Sequence, residues 1–425
     1  MSYLENFLFA IILSKNMTES SDDYDEHLKR VYKWNVAGLV LSWVIWSPFQ
    51  SMARPYFQLY AKELGATPMI LAIISFVSTI TLGFTRIVGG YVADKHGRKK
   101  IVVYMTTLVS MSYLLYAMAP DWTWLVAGSF LLSVALLYQP ALWSLMSDSA
   151  PKESRGKIFS IYNFIPGIIS SVSPFLAIYF VQQYTLVPAL RLIYILTFVC
   201  GMVAAGVRAI FLKETLITSE KRTAEFSFWE SYKTVLSFIR KNFMYILLID
   251  AIVNVAISMG FLVAYYSVYF LGLSEVDWGF VWIITAMLGL IVTLPSGALI
   301  DKIGRKPIIL LSTILYLFGD LILFMSPYLQ WNIFIVVTIA TGLTTCAASI
   351  YFIVINSIVT DVIPLDYRGR ANSILGLIIN IVGSVATLIA GAVYTILGAN
   401  VPFLIGAILI FITVIIISIK LKETK

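Results

Sequence analysis

The string Gly90-Tyr91-Val92-Ala93-Asp94-Lys95-His96-Gly97-Arg98-Lys99 returns 207 residues later as Gly297-Ala298-Leu299-Ile300-Asp301-Lys302-Ile303-Gly304-Arg305-Lys306. Its two glycines, aspartate, arginine and two lysines keep their places. A second set, Asp148, Pro151, Glu153, Arg155 and Gly156, returns 213 residues later as Asp361, Pro364, Asp366, Arg368 and Gly369. Two charged loops repeated in the same order constrain the chain to two similar halves. Parallel internal repeats of this size inside a hydrophobic chain mark secondary transporters.

The chain is hydrophobic enough for that reading. Hydrophobic residues make up 59% of its 425 positions and charged residues 12%, against about 25% charged in soluble domains. A water-soluble fold of this length could not hide so much apolar surface, so lipid must cover it. Twelve apolar runs reach the roughly 20 residues that a bilayer crossing takes. They are 34–60, 69–93, 100–119, 123–147, 159–181, 188–212, 243–271, 278–300, 308–325, 331–360, 372–396 and 401–419. The expected fold class is an all-α membrane protein. Its expected parts are a tail (1–33), a first six-helix bundle (34–212), a linker (213–241), a second six-helix bundle (242–420) and a short tail (421–425).

The net charge of +7 is a topology signal rather than a nucleic-acid footprint. With both termini in the cytoplasm, 25 of the 30 Lys and Arg fall in the tails and the even-to-odd loops, against Lys62 and Arg191 outside. Arg54, Arg86 and Arg208 remain within spans. That excess of inner positive charge predicts a multi-pass protein of the cell membrane with cytoplasmic termini. In the linker, Phe226, Trp229, Tyr232 or Lys233, Leu236 and Ile239 recur at helical spacing, which predicts an amphipathic helix on the inner membrane surface. Cys200 and Cys346 fall inside spans without metal-ligand spacing, and His27 and His96 lie in cytoplasmic segments. With no catalytic or phosphate-cradling motif in view, no enzyme activity and no cofactor or metal are expected.

The loop Gly90-x-x-x-Asp94-x-x-Gly97-Arg98-Lys99 between spans 2 and 3 resembles the signature of the major facilitator superfamily. Its repeat between spans 8 and 9, and the Asp-x-x-Pro-x-x-x-Arg-Gly loops after spans 4 and 10, resemble that family too. The resemblance covers 34–420. It implies two pseudo-symmetric six-helix bundles, a substrate near the midplane between them, alternating access, and spans 1, 4, 7 and 10 around the cavity. It also implies a cytoplasmic gate made by Gly90, Asp94, Gly97, Arg98, Asp148 and Arg155, repeated as Gly297, Asp301, Gly304, Arg305, Asp361 and Arg368. In that gate Asp94 meets a helix N-terminus of the other half, whose free amides attract anions. Arg98 can pair with Asp148, and Arg305 with Asp361. Arg86 can brace the same gate.

Polar residues align on those four spans. Span 1 carries Trp43, Ser47, Gln50, Arg54 and Phe57, and span 4 carries Gln139 and Trp143 beside Pro140. Span 7 carries Asp250, Asn254, Ser258, Phe261 and Tyr265, and span 10 carries Thr345, Ser349, Phe352, Asn356 and Thr360. Each set falls on one face of a 3.6-residue helix. Trp43, Gln50, Arg54, Gln139, Trp143, Asn254, Ser258, Tyr265, Ser349 and Asn356 are therefore the candidate cavity residues. The competing reading of any single Ser, Thr or Asn is a helix–helix hydrogen bond. Arg54 can bind an anionic group of the solute or snorkel to the outer interface. Asp250 can carry a proton or hold a permanent ion pair, whereas Asp320 in span 9 is expected to have no substrate role.

Drug/proton antiporters of the family tend to carry an arginine twelve residues before the span 4 proline. Gly128 stands there in this chain. The family's glycine-rich span 5 motif is likewise missing from Ser173-Pro174-Phe175-Leu176-Ala177. The leading expectation is thus ion-coupled transport of a small polar or anionic organic solute, with a proton as the coupling ion. Multidrug efflux is the alternative in the same class, and a non-transporting sensor on the same fold is the alternative in another. Expected partners are the lipid bilayer, the solute and the ion, with no nucleic acid, and the protein is expected to be a monomer.

Overall fold

In lipid a backbone must bond its own N–H and C=O groups, so long apolar runs cross as helices. The computed structural model describes residues 23–149, 155–215 and 228–420. The side chains of 23–33, and those of Arg86, Asp94, Arg155, Asp301 and Arg368, lie outside that description, as do the surroundings of Gly90. Among the described residues, 12 helices are long and apolar enough to span a membrane. Spans 1 to 6 are Trp34–Glu63, Pro68–Thr85, Arg98–Met118, Trp122–Asp148, Phe164–Tyr184 and Leu186–Phe211. Spans 7 to 12 are Met244–Phe270, Glu275–Thr293, Arg305–Tyr328, Ile333–Val362, Ala371–Ile396 and Val401–Ile419. They match the twelve expected runs one for one.

Three of the four spans expected around the cavity are broken. Span 1 is α-helical to Ala53, tightens into a 3₁₀ turn over Arg54–Tyr56 and resumes at Phe57. Pro55 sits in that turn and has no N–H to donate back along the helix. Span 4 tightens over Leu136–Tyr138, just ahead of Pro140. Span 7 tightens over Gly260–Leu262 and ends in a π-helical turn at Tyr266–Phe270. Span 10 contains no proline and runs unbroken from Ile333 to Val362. Irregular backbone at membrane depth is tolerated only where protein or a water-filled cavity covers it.

The duplicated loops turn on their second glycines. Gly97 has φ +92° and Gly304 φ +100°, and a new helix starts immediately after each. An L-residue is strained there, so the repeat of glycine at this one spacing has a backbone cause.

The two halves are filled differently. Trp46, Tyr56, Tyr60, Tyr113, Tyr116 and Tyr194 are buried in the first half, where rings pack on rings. The core of the second half is mostly aliphatic, with Ile249, Val253, Ile309, Ile350, Val354 and Ile410. The linker forms a helix over Phe228–Asn242. Its apolar residues divide between two environments. Val235 and Ile239, one turn apart, are buried with Phe243 in the second-half core, while Leu236 is half exposed. The helix is thus docked on a bundle along one edge, where the periodicity alone placed its whole apolar face against lipid.

The halves meet at the end remote from the charged loops. The Trp278 indole Nε1 donates to the Pro55 carbonyl at 2.8 Å, joining spans 8 and 1. Gln58 Nε2 donates to the Phe261 carbonyl at 2.5 Å, joining spans 1 and 7. The Tyr269 hydroxyl donates to Glu63 Oε1 at 2.9 Å, and Lys62 Nζ lies 4.6 Å from the Tyr269 ring centre. Gly279 packs on Tyr56 and Ile178, and Gly391 on Ala72 and Pro68. At the opposite end Gly297 faces open space.

Candidate functional site

Two cavities open between the helices. One, about 580 Å³, is bordered in the first half by Trp43, Gln50, Arg54, Ser75, Ser78 and Gln139. The other, about 730 Å³, is bordered in the second half by Ser258, Thr293, Thr345, Ser349, Phe352 and Thr387. Phe261 of span 7 borders both.

The candidate residues therefore divide. Trp43, Gln50, Arg54 and Gln139 line the first cavity, and Ser258 and Ser349 the second. Trp143, Asn254, Tyr265 and Asn356 border neither. Trp143 lays its ring 6.2 Å from that of Tyr162. Asn356 folds its amide back to the Phe352 carbonyl at 2.7 Å. Tyr265 packs its ring on Tyr269 and Tyr394, within the seal between the halves. The break at Gly260–Leu262 explains that last departure. A 3₁₀ turn advances three residues per revolution instead of 3.6, so the face that carries Ser258 is not the face that carries Tyr265.

Arg54 borders the cavity as an exposed side chain with no hydrogen bond among the described residues. Its neighbour on the same face, Gln50, donates from Nε2 to the Tyr113 hydroxyl at 2.7 Å, which leaves the amide oxygen available. Ser78 is tied to Ser133 at 2.9 Å. One end of the cavity thus offers a guanidinium whose five donors are open to a ligand.

Asp250 accepts from the Tyr351 hydroxyl at 3.0 Å and from Asn254 Nδ2 at 3.0 Å, both on Oδ1. No ion pair joins it among the described residues. Asn254, expected in the cavity, is thus bound to Asp250 instead. Asp320 borders neither cavity. It is buried with both oxygens unbonded among the described residues, pressed against Gly406 of span 12.

Arg208 is a residue that spacing did not single out. It is completely buried on span 6. Its Nε donates to the Ser42 hydroxyl at 3.0 Å and its Nη1 to the Thr106 hydroxyl at 2.6 Å. The rings of Trp43, Tyr138 and Trp46 lie 5.4, 5.6 and 5.8 Å from its Cζ. Arg208 lies in the last turn of span 6. Even at the bilayer centre an arginine costs about 2.5–3.5 kcal/mol on insertion scales, and a desolvated cation–π contact returns about 2 kcal/mol. Three rings and two hydroxyls therefore suffice to hold it. The sequence signal was an arginine inside the apolar stretch of span 6 that follows Arg191.

At the charged end the expected ion pairs are present in both halves, Arg98 with Asp148 and Arg305 with Asp361. The two carboxylates keep 42% and 44% of their side-chain exposure, so each pair contributes at most about 1 kcal/mol. The loop after span 6 adds two contacts. Glu214 Oε2 accepts from the Lys99 amide at 3.0 Å, and the Thr215 hydroxyl donates to Asp148 Oδ2 at 3.1 Å. Glu214 thereby satisfies a free amide in the first turn of span 3. A signal for these two existed. Leu212-Lys213-Glu214-Thr215 returns 209 residues later as Leu421-Lys422-Glu423-Thr424, whose structure lies outside the described residues.

Residues 39–302 and 271–425 match the model of the Major Facilitator Superfamily. The chain belongs to the major facilitator superfamily. It is 24% identical over 336 residues to an uncharacterized MFS-type transporter of Methanocaldococcus jannaschii, over 77% of this chain and 82% of that protein. Its fold resembles that of the nucleoside transporter NupG, with TM-score 0.72 and 13% identity over 92% of this chain and 100% of that one. It also resembles that of a D-xylose-proton symporter, with TM-score 0.69 and 15% identity over 95% and 99% of the two chains. At such identities the two structures speak for the fold alone.

Proposed function

We propose that this transporter moves a small polar or anionic organic solute across the cell membrane by alternating access, coupled to protons. The observation that carries the reading is Arg54, a guanidinium with no hydrogen bond or ion pair among the described residues, in a cavity of about 580 Å³ lined by Gln50, Ser75 and Ser78. A planar cation with free donors suits a carboxylate or phosphate, which it can bind through two parallel hydrogen bonds. Asp250 supports the coupling. A carboxylate held only by Tyr351 and Asn254 can take up a proton without leaving a buried cation unpaired. The closed contacts at the end remote from the charged loops support a cavity that faces the cytoplasm in this conformation.

A thermal-shift screen of organic acids, nucleosides and sugars against the purified protein would name candidate solutes. Uptake into proteoliposomes then tests transport. Asp250→Asn is expected to abolish accumulation driven by an imposed pH gradient and to leave counterflow without a gradient, because exchange moves no net proton. Loss of both activities would make Asp250 a structural residue, and retention of both would remove it from coupling.

The orientation carries its own test. Both termini and the linker are cytoplasmic in this reading, from the 25 inner basic residues against Lys62 and Arg191. Single cysteines at Glu19, Ala224 and Thr424, in a background without Cys200 and Cys346, are expected to resist impermeant thiol reagents added to intact cells. Labelling of any of them from outside would reverse the topology.

A further inference from the structure

Arg208 is fully buried, yet its donors are not all used. Nε and Nη1 are bonded to Ser42 and Thr106, and Nη2 has no partner among the described residues. Trp46 is also fully buried, and its indole N–H has no partner either. The Trp46 ring centre lies 5.8 Å from the guanidinium carbon. Two unsatisfied N–H donors beside a buried positive charge are complementary to an anion. No anion comes from the protein, since among the described residues no carboxylate pairs with Arg208. The elements around it present Ser42, Trp43 and Trp46 from span 1, Thr106 from span 3, Tyr138 from span 4 and, beyond Trp43, the Tyr162 hydroxyl from the span 5 helix.

Its position gives an occupant a route. Trp43, Trp46 and Tyr138, whose rings surround Arg208, also border the cavity of about 580 Å³. A single layer of aromatic rings therefore separates the guanidinium from the space where Arg54 stands. Trp43 and Arg54 are eleven residues apart on span 1, or about 16 Å along the helix. The cavity has an open cation towards one end and a shielded cation towards the other.

We propose that Arg208 and Trp46 form an anion-binding site, entered from the first-half cavity past Trp43 and Tyr138. Its ligand is a small anion, either a free inorganic ion or the carboxylate of the transported solute. Only the second source rests on the reading of an anionic solute given above. In the present conformation the rings close over the guanidinium, so binding requires them to shift. That makes the site a feature of the cycle rather than a permanent ion store.

The test uses intrinsic tryptophan fluorescence of the purified full-length protein, with iodide as the anionic quencher, caesium as the cationic one and acrylamide as the neutral one. The signal that disappears in Trp43→Phe/Trp46→Phe belongs to this site. In the wild type that signal is expected to be quenched by iodide far more steeply than by caesium, and to saturate. In Arg208→Gln the iodide effect is expected to fall several-fold while acrylamide quenching is unchanged. Protection by benzoate but not by chloride would assign the site to an organic carboxylate, and protection by both to a free anion. Equal iodide quenching in wild type and Arg208→Gln would overturn the proposal. Should Arg208→Gln fail to fold, wild-type iodide quenching no steeper than that by caesium would overturn it as well. The measurement needs no transport, so a failed uptake assay on Arg54 variants leaves it untouched.

Discussion

Two arginines within the first bundle show how the same side chain is put to different uses by its surroundings. Arg54 sits at a helix break and is exposed to the cavity with no hydrogen bond among the described residues. Arg208 sits in an unbroken helix, wrapped by three rings and two hydroxyls. Both are cations inside apolar runs, and Pro55 beside Arg54 is what their local sequences do not share. Substitution separates them. With a solute in hand, Arg54→Lys is expected to bind it poorly, because an ammonium cannot reproduce the planar fork of a guanidinium. Arg54→Gln is expected to bind it worse still. Unchanged affinity in both, measured by thermal shift or equilibrium binding, would return Arg54 to an interfacial role.

At the scale of elements, the charged end of the first bundle is built from short devices that the repeat exposes. The turn at Gly97, the Arg98–Asp148 pair and the Glu214 acceptor all gather at the N-terminus of span 3. A carboxylate in that first turn is worth about 0.3–1 kcal/mol. Glu214→Ala is expected to lower stability by about that amount and to loosen span 6 from span 3. Thr215→Val is expected to lose less, since Asp148 keeps Arg98. Denaturation midpoints of the two variants give the order, and a larger loss in Thr215→Val would contradict it. The polar stripes belong to this scale too. They were legible for most of span 10, which is regular and where Thr345, Ser349 and Phe352 border a cavity while Asn356 does not, and partly misread for span 7. A constant helical period does not survive the 3₁₀ turn at Gly260–Leu262.

At the scale of the whole molecule, the decisive feature is the seal between spans 1, 5, 7 and 8. Gly279 allows it, since any side chain there would meet the Tyr56 hydroxyl and Ile178. Gly279→Val is expected to hold the halves apart at that end and shift the population toward a cavity open on the far side from the charged loops. The reporter is a cysteine at Ser78, in a background without Cys200 and Cys346. Impermeant reagent outside the cell is expected to label it in Gly279→Val and not in the parent. Equal labelling would mean that Gly279 serves packing alone. The linker helix is a second feature of this scale. Its docking through Val235 and Ile239 fastens it to the second bundle.

The sequence by itself determined the number of spans, the division into two halves and the charged gate pairs. Those follow from properties that a chain carries locally: the length of apolar runs, the placement of Lys and Arg, and glycines that tolerate positive φ. The helix breaks were not read from the sequence: Pro55 and Pro140 lie at two of them, but Pro48, Pro166, Pro174 and Pro295 lie inside continuous helices. Only the tertiary structure decided which polar residues share a cavity. Trp143, Asn254, Tyr265 and Asn356 lie on the expected spans and still border neither cavity: Trp143 packs on Tyr162, Asn254 binds Asp250, Tyr265 follows a helix break and Asn356 turns its amide to the Phe352 carbonyl. Only the tertiary structure could enclose Arg208 as well, because the residues that stabilise its charge come from spans 1, 3 and 4. Burial depends on what packs against a residue, and the partners here lie as many as 166 positions away along the chain.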